Sequence, residues 1–176
     1  MNKVFLALGS NRGDKFQYLL KALNLINCLP GTSIVSLSPV YETFPYGVIS
    51  QDEFLNMAVA VFSELTPRQL LVALKTIEQQ TGRLERERWH EREIDIDILL
   101  YGDLEVDEAD LKIPHRELLK RDFFILPLLD LEPGISLPGT GIFLKDLEIT
   151  VKKPYIKGLN RKFFEIKNGL VCLNEQ

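Results

Sequence analysis

Glu93-Ile94-Asp95-Ile96-Asp97-Ile98-Leu99 alternates strictly between acidic and apolar residues. Side chains on a strand point to opposite faces in turn, so Ile94, Ile96 and Ile98 share one face and Asp95 and Asp97 the other. The pattern predicts a strand over residues 94–101, closed by Gly102-Asp103. Working back from it, the apolar run 4–8 reads as a buried strand that turns at Gly9-Ser10-Asn11. Asp14 then suits an N-cap, with Gln17 completing a capping box and Leu19, Leu20, Leu23 and Ile26 forming a helical stripe. Residues 34–41 and 54–62 are β-rich runs that flank a loop containing Pro45, Gly47 and Ser50. Thr66 caps a second helix, with Pro67 at its first position, Leu70, Leu71, Leu74 and Ile77 as its stripe, and Gly82 at its end.

The order strand, helix, strand, strand, helix, strand is that of an α+β fold with a ferredoxin-like βαββαβ core: an antiparallel sheet with its helices on one face. A short helical segment at residues 117–120 and an apolar run at 123–131, broken by Pro127, follow it. From about residue 134 the chain changes character. Residues 161–166 and 170–173 flank Asn168-Gly169, a dipeptide suited to a type I′ turn, and read as a β-hairpin. The expected division is a core domain over residues 1–133 and a C-terminal extension, 134–176, packed on or near it.

A chain of 176 residues with 45% hydrophobic and 26% charged residues has the composition of a folded domain with a real core. Its net charge of −4 gives no global basis for binding nucleic acid or an acidic membrane, so any polyanion must meet a local cluster of positive charge. Cys28 and Cys172 lie far apart and form no CxxC, which argues against disulfide stapling and structural zinc. No stretch approaches the roughly 20 apolar residues of a membrane span, and the apolar N-terminal run is too short for a signal peptide. A cytoplasmic protein is the expectation, as a monomer or small homo-oligomer.

Two carboxylates at i and i+2 on a strand can converge on a metal ion, and Mg²⁺, a hard ion shared between carboxylates and phosphate oxygens, suits them. An acidic outer face on a half-exposed strand gives the same pattern, and the strand alone does not separate the two. Arg83, Arg86, Arg88 and Arg92 precede this strand and Arg121 follows it, and guanidinium groups match phosphate oxygens in bidentate fashion. Glu85-Arg86-Glu87-Arg88 equally suits mutual pairing on a solvated loop. Neither Gly9-Ser10-Asn11-Arg12-Gly13-Asp14-Lys15 nor His90-Glu91 completes a phosphate-binding P-loop or an HExxH zinc motif. Thr43, Phe44, Pro45, Tyr46, Phe54 and Asn56 form a second constellation, able to stack on a flat heterocycle and bond its edge. Phe54 has an equal claim to the core, as have Trp89 and Phe123.

Ala7-Leu8-Gly9-Ser10-Asn11, Tyr41-Glu42-Thr43, Phe54-Leu55-Asn56-Met57-Ala58-Val59, Arg88-Trp89, Arg92-Glu93-Ile94-Asp95-Ile96-Asp97-Ile98-Leu99 and Ile113-Pro114-His115 follow one another in that order. Together they resemble the hydroxymethyl-dihydropterin pyrophosphokinases of folate biosynthesis, over about residues 2–133. The resemblance implies that pyrophosphate passes from ATP to 6-hydroxymethyl-7,8-dihydropterin and that AMP is released. It implies two Mg²⁺ ions on Asp95 and Asp97, with Arg83 and Arg92 assisting transfer. Phe54 and Phe123 would sandwich the pterin, Thr43 and Asn56 would bond its edge, and Phe44, Tyr46 and Trp89 would complete that pocket. Glu78, Arg86, Lys112, His115, Arg116 and Arg121, with the Ile98 backbone, would serve the nucleotide.

His90-Glu91 stands where the family usually has Gly-Pro. This departure keeps open a catalytically altered paralogue that binds pterin or nucleotide without turnover. Another Asp-x-Asp metal-dependent phosphotransferase would share the acidic strand without needing the pterin pocket.

Overall fold

The computed structural model describes residues 1–46, 51–84, 91–147 and 154–175. Arg86, Arg88, Trp89 and His90 therefore lie outside the described residues.

Val4, Leu6 and Leu8 alternate with Phe5 and Ala7, and both sets are buried, so β1 (Asn2–Ser10) runs through the middle of a sheet covered on both faces. It pairs antiparallel with β4 (Phe54–Ser63) on one side and β5 (Asp95–Tyr101) on the other. The far edge of β4 takes two partners in succession, β2 (Thr32–Leu37) and β3 (Tyr41–Thr43). The run 34–41 is thus not one strand. Pro39 has no N–H for the ladder, and Ser38 bridges the break by donating its N–H to Ala58 O and accepting from Ala58 N at Oγ (3.0 and 2.9 Å). The order β5-β1-β4-β2 is the expected ferredoxin-like one, and β8 (Ile156–Leu159) extends the sheet beyond β3.

Helices α1 (Lys15–Asn27) and α2 (Pro67–Thr81) cover one face, packing Leu19, Leu23, Leu70 and Leu74 onto Leu6, Leu8, Met57 and Val59. Asp14 caps α1 by accepting from Gln17 N (3.2 Å). Thr66 and Gln69 exchange both bonds of a capping box at α2. A third helix, α3 (Asp122–Leu131), covers the opposite face against Phe5, Ala7, Ala58 and Ala60. Pro127 does not break it. A proline inside a helix costs about 3 kcal/mol, whereas burying each of Phe123, Phe124, Ile125 and Leu128 gains about 1.5–3 kcal/mol, so burial wins. The segment at 117–120 is a single 3₁₀ turn, Leu118–Lys120.

The tail ends in a hairpin of β9 (Lys162–Lys167) and β10 (Leu170–Glu175), with Asn168 and Gly169 both left-handed (φ 51° and 78°), as a type I′ turn demands. It rests on α1. Asn24 donates to Val171 O and accepts from Val171 N (3.1 and 3.0 Å), Asn27 donates to Gly169 O (2.8 Å), and the Phe16 and Phe164 rings meet at 6.1 Å. Among the described residues no helix is long and apolar enough to cross a membrane.

Asn24→Ala removes both bonds to Val171 and leaves that strand's amide and carbonyl unmatched. Stability should fall by about 1–2 kcal/mol, with faster amide exchange over residues 162–175 by mass spectrometry. Unchanged exchange there would contradict this docking.

Candidate active site

Cross-strand register builds the site. Asp95 lies opposite Gly9, Asp97 opposite Ala7, and Gly9 in turn faces Asn56 across the β1–β4 ladder. This row stands on the sheet face away from α1 and α2, while Ile96 and Ile98 point into the core beneath those helices. Gly9 keeps the row open: a Cβ there would come within 2.7 Å of Asn56 Oδ1 and 3.8 Å of the Phe54 ring. Asn56 Nδ2 donates to Thr43 Oγ1 at 2.7 Å, which fixes the carboxamide.

A cavity of about 250 Å³ opens over this floor. Phe44, Tyr46, Phe54 and Phe123 line its aromatic side, and Arg92, His115, Arg116 and Arg121 bring positive and hydrogen-bonding groups to the acidic pair. The Arg121 guanidinium stacks over Tyr46, Phe124 and Phe123 at 4.6, 5.0 and 5.7 Å from their ring centres. Its Nε is buried without a hydrogen-bond partner among the described residues.

The two aspartates are not equivalent. Asp95 accepts from Arg83 Nη1 (2.7 Å) and Arg92 Nη1 (2.6 Å). Burial pushes its carboxyl up, but Arg92, Arg83 and Lys75 together outweigh that and hold it below the ordinary range. Asp97 has no hydrogen bond or ion pair to any described residue. Burial, then the Asp95 charge beside it, raises its pKa to about 7. Glu78, buried behind the pair, accepts from Ile96 N (2.8 Å) and pairs with Arg83 (2.5 Å) and Lys75 (3.0 Å). Burial raises its pKa, with Lys75 opposing. The chain Glu78–Arg83–Asp95–Arg92 thus spends its charge internally and leaves Asp97 without an ion-pair partner among the described residues.

His115 is placed by a β-bulge. The β1–β5 register slips between Phe5 and Leu6, leaving Leu99 without a partner on β1, and Leu99 O accepts from His115 N at 2.9 Å. His115 Nδ1 accepts from Glu117 N (3.2 Å), which puts the imidazole proton on Nε2. Burial, then Arg121 and Arg116, lowers the His115 pKa to about 4, so near neutral pH the ring is an uncharged N–H donor.

Twelve of the residues expected from sequence meet at this cavity: Thr43, Phe44, Tyr46, Phe54, Asn56, Arg92, Asp95, Asp97, His115, Arg116, Arg121 and Phe123. Four stand elsewhere. Arg83 and Glu78 sit behind Asp95, and the Ile98 side chain is in the helix-facing core of an edge strand. Lys112 pairs with Asp107 on a small ribbon of β6 (Val106–Asp107) and β7 (Lys112–Ile113) and does not line the cavity. Arg86 and Trp89 are outside the described residues. Gln51 and Phe124 line the cavity without having been singled out. Asn11 has a role that its motif does not reveal: buried just after β1, its Oδ1 accepts from Arg92 N (2.7 Å) and its N–H donates to Arg92 O (3.1 Å). A buried asparagine directly after a strand was the available signal.

Comparison with known proteins points to one family. The 7,8-dihydro-6-hydroxymethylpterin-pyrophosphokinase family model matches residues 5–133. The chain is 44% identical over 138 residues to 2-amino-4-hydroxy-6-hydroxymethyldihydropteridine pyrophosphokinase of Aquifex aeolicus, covering 78% of this chain and 85% of that one. It is 41% identical over 139 residues to the protein of the same name from Methylorubrum extorquens, covering 79% and 88%. Wild-type Plasmodium falciparum HPPK-DHPS superposes with a TM-score of 0.65 at 18% identity, over 82% of this chain. The chain spans 43% of that longer protein, and the likeness speaks to the fold alone.

Asp97 offers a test of the site's electrostatics. Its folded pKa is about 7 against an ordinary 3.8, so the folded state holds the extra proton between those values and stability falls as pH rises through them. Asp97→Asn should therefore stabilise the metal-free protein at pH 8 by about 1–2 kcal/mol, allowing for residual solvent screening. The gain in Tm should shrink towards zero near pH 4. A Tm difference independent of pH would contradict the shift.

Proposed function

The chain belongs to the 7,8-dihydro-6-hydroxymethylpterin-pyrophosphokinase family, and from that premise we propose how its own residues divide the work. The activity is that of the family: pyrophosphate is transferred from ATP to 6-hydroxymethyl-7,8-dihydropterin in folate biosynthesis, giving AMP and the pterin diphosphate. The observation that carries the division of roles is the asymmetry of the acidic pair, with Asp95 clamped by two arginines and Asp97 in no ion pair among the described residues.

That donor set fits Mg²⁺. Two carboxylates share one sheet face at the floor of a cavity, and a hard cation relieves the repulsion that burial imposes on Asp97. No three His, Cys, Asp or Glu side chains among the described residues gather as a metal cluster, so the remaining ligands would be phosphate oxygens and water. When bound at Asp95 and Asp97, two such ions would supply neutralisation of phosphate charge and polarisation of the reacting oxygens.

Phe54 and Phe123 present faces for the pterin ring, and Asn56, oriented by Thr43, meets its polar edge. Phe44 and Tyr46 close that side against water. His115 gives Nε2–H to the nucleotide, and Arg116 and Arg121 give charge to its phosphates. Arg92 is held to β1 by Asn11, and Arg83 to Asp95 by Glu78. Positioning and charge stabilisation carry phosphoryl-type transfer, and no covalent nucleophile is required. The same reading assigns catalysis to residues 1–133, with 134–176 as an extension docked on them. It places a monomer or small homo-oligomer in the cytoplasm, in keeping with a net charge of −4 and two free cysteines.

Incubation with ATP, Mg²⁺ and the pterin should yield AMP strictly dependent on the pterin, measured by chromatography. Asp97→Ala should lower kcat by at least about a thousandfold while the far-ultraviolet circular dichroism is unchanged. ADP or pterin-independent phosphate release points instead to another phosphotransferase. Retained turnover in Asp97→Ala would remove its metal role.

A further inference from the structure

Three residues of the extension meet Thr43, Phe44, Tyr46 and Phe123 of the walls assigned above to the pterin, yet none lines the cavity. Strand β8 pairs with β3 so that Ile156 lies opposite Thr43, and Phe44 N donates to Tyr155 O at 2.8 Å. The Tyr155 ring lies 5.1 Å from that of Tyr46 and 6.0 Å from that of Phe123. Tyr155 N and Ile156 N both donate to Asp122 Oδ2, at 2.7 and 3.1 Å, and Asp122 Oδ1 accepts from Phe123 N at 2.9 Å. Lys157 reaches back the other way. Its ammonium pairs with Glu53, the neighbour of Phe54, at 2.5 Å and lies 5.3 Å from the centre of the Phe44 ring.

The physical consequence follows from where these anchors sit. Phe123 lies in the first turn of α3, Phe44 directly follows β3 and Phe54 begins β4, so the aromatic slot is assembled from three separate parts of the chain. Within residues 1–133 the first turn of α3 has no side-chain N-cap, because Arg121 supplies none. The backbone N–H groups of Tyr155 and Ile156, at the start of β8, satisfy the Asp122 carboxylate instead and tie that turn to the β3 edge. A buried carboxylate accepting two backbone N–H bonds is a rigid joint. The width of the slot between Phe123 and the β3–β4 side is therefore set by a segment outside the residues 5–133 that the family model matches.

We propose that Tyr155, Ile156 and Lys157 are positioning residues for the pterin-binding walls, an inference that rests on the pterin assignment made above. They act through Phe123, Tyr46 and Phe44, not by touching substrate. Their loss weakens pterin binding more than nucleotide binding, because Arg121 alone of the nucleotide-side groups stacks on Tyr46 and Phe123, while the acidic pair and His115 are held by β5.

The test is steady-state kinetics on full-length variants, with each substrate varied at saturation of the other, and Tm recorded alongside. Tyr155→Ala should raise the pterin KM about tenfold, with kcat and the ATP KM within twofold of the parent, and Tyr155→Phe should behave as the parent. Lys157→Met, at a partly exposed side chain, should raise the pterin KM about threefold. It decides the matter if Tyr155→Ala does not fold. A pterin KM unmoved in the folded variants, or pterin and ATP KM rising in parallel, overturns the positioning role. A parent protein that makes no AMP overturns the functional reading itself, whereas parental turnover with an unmoved pterin KM overturns only this inference.

Discussion

Two carboxylates two residues apart on one face of a strand, half-buried at the floor of a cavity, repel one another where water screens them poorly. The rest of the site can be understood as a response to that repulsion. Arg83 and Arg92 neutralise Asp95, and Glu78 fixes Arg83 from behind. With its neighbour's charge compensated locally, Asp97 still carries the desolvation penalty, which lifts its pKa to about 7. Positive charge entering the cavity beside Asp97 would relieve that cost.

The sheet makes this arrangement possible by dividing labour between its faces. Ile96 and Ile98 hold β5 down on the α1–α2 core, so Asp95 and Asp97 have no freedom to rotate away from the cavity. The β-bulge at Leu99 then directs a carbonyl to His115 and fixes that wall of the cavity. Gly9 supplies the missing volume between the acidic row and Asn56. Each of these is a backbone solution to a side-chain requirement. The extension contributes in the same manner, giving two N–H groups to Asp122 at the foot of α3.

Much of this was legible in the sequence, for identifiable reasons. Period-two alternation from Ile94 to Leu99 specified both the strand and the shared face of the aspartates, and capping residues marked α1 and α2. Asn168-Gly169 marked the hairpin through its backbone preference alone. Other features depend on tertiary context that no local pattern carries. Pro127 reads as a breaker, but the apolar burial around it outweighs one lost hydrogen bond. The roles of Asn11 and Glu78 arise from partners 81 and 18 residues away, Arg92 and Ile96. Lys112 is basic and close in sequence to His115, yet Asp107 draws it to a separate ribbon. The docking of β8 on β3 rests on a pairing between distant strands, the kind of contact least visible to sequence patterns.

Transfer of an intact pyrophosphoryl group requires attack at the β-phosphorus, and that step can be followed directly. ATP labelled at its β-phosphorus, turned over with Mg²⁺ and 6-hydroxymethyl-7,8-dihydropterin, should deliver all of its label to the pterin product and leave AMP unlabelled. Label recovered in ADP or in free phosphate would mean that the acidic pair and its arginines serve a different reaction.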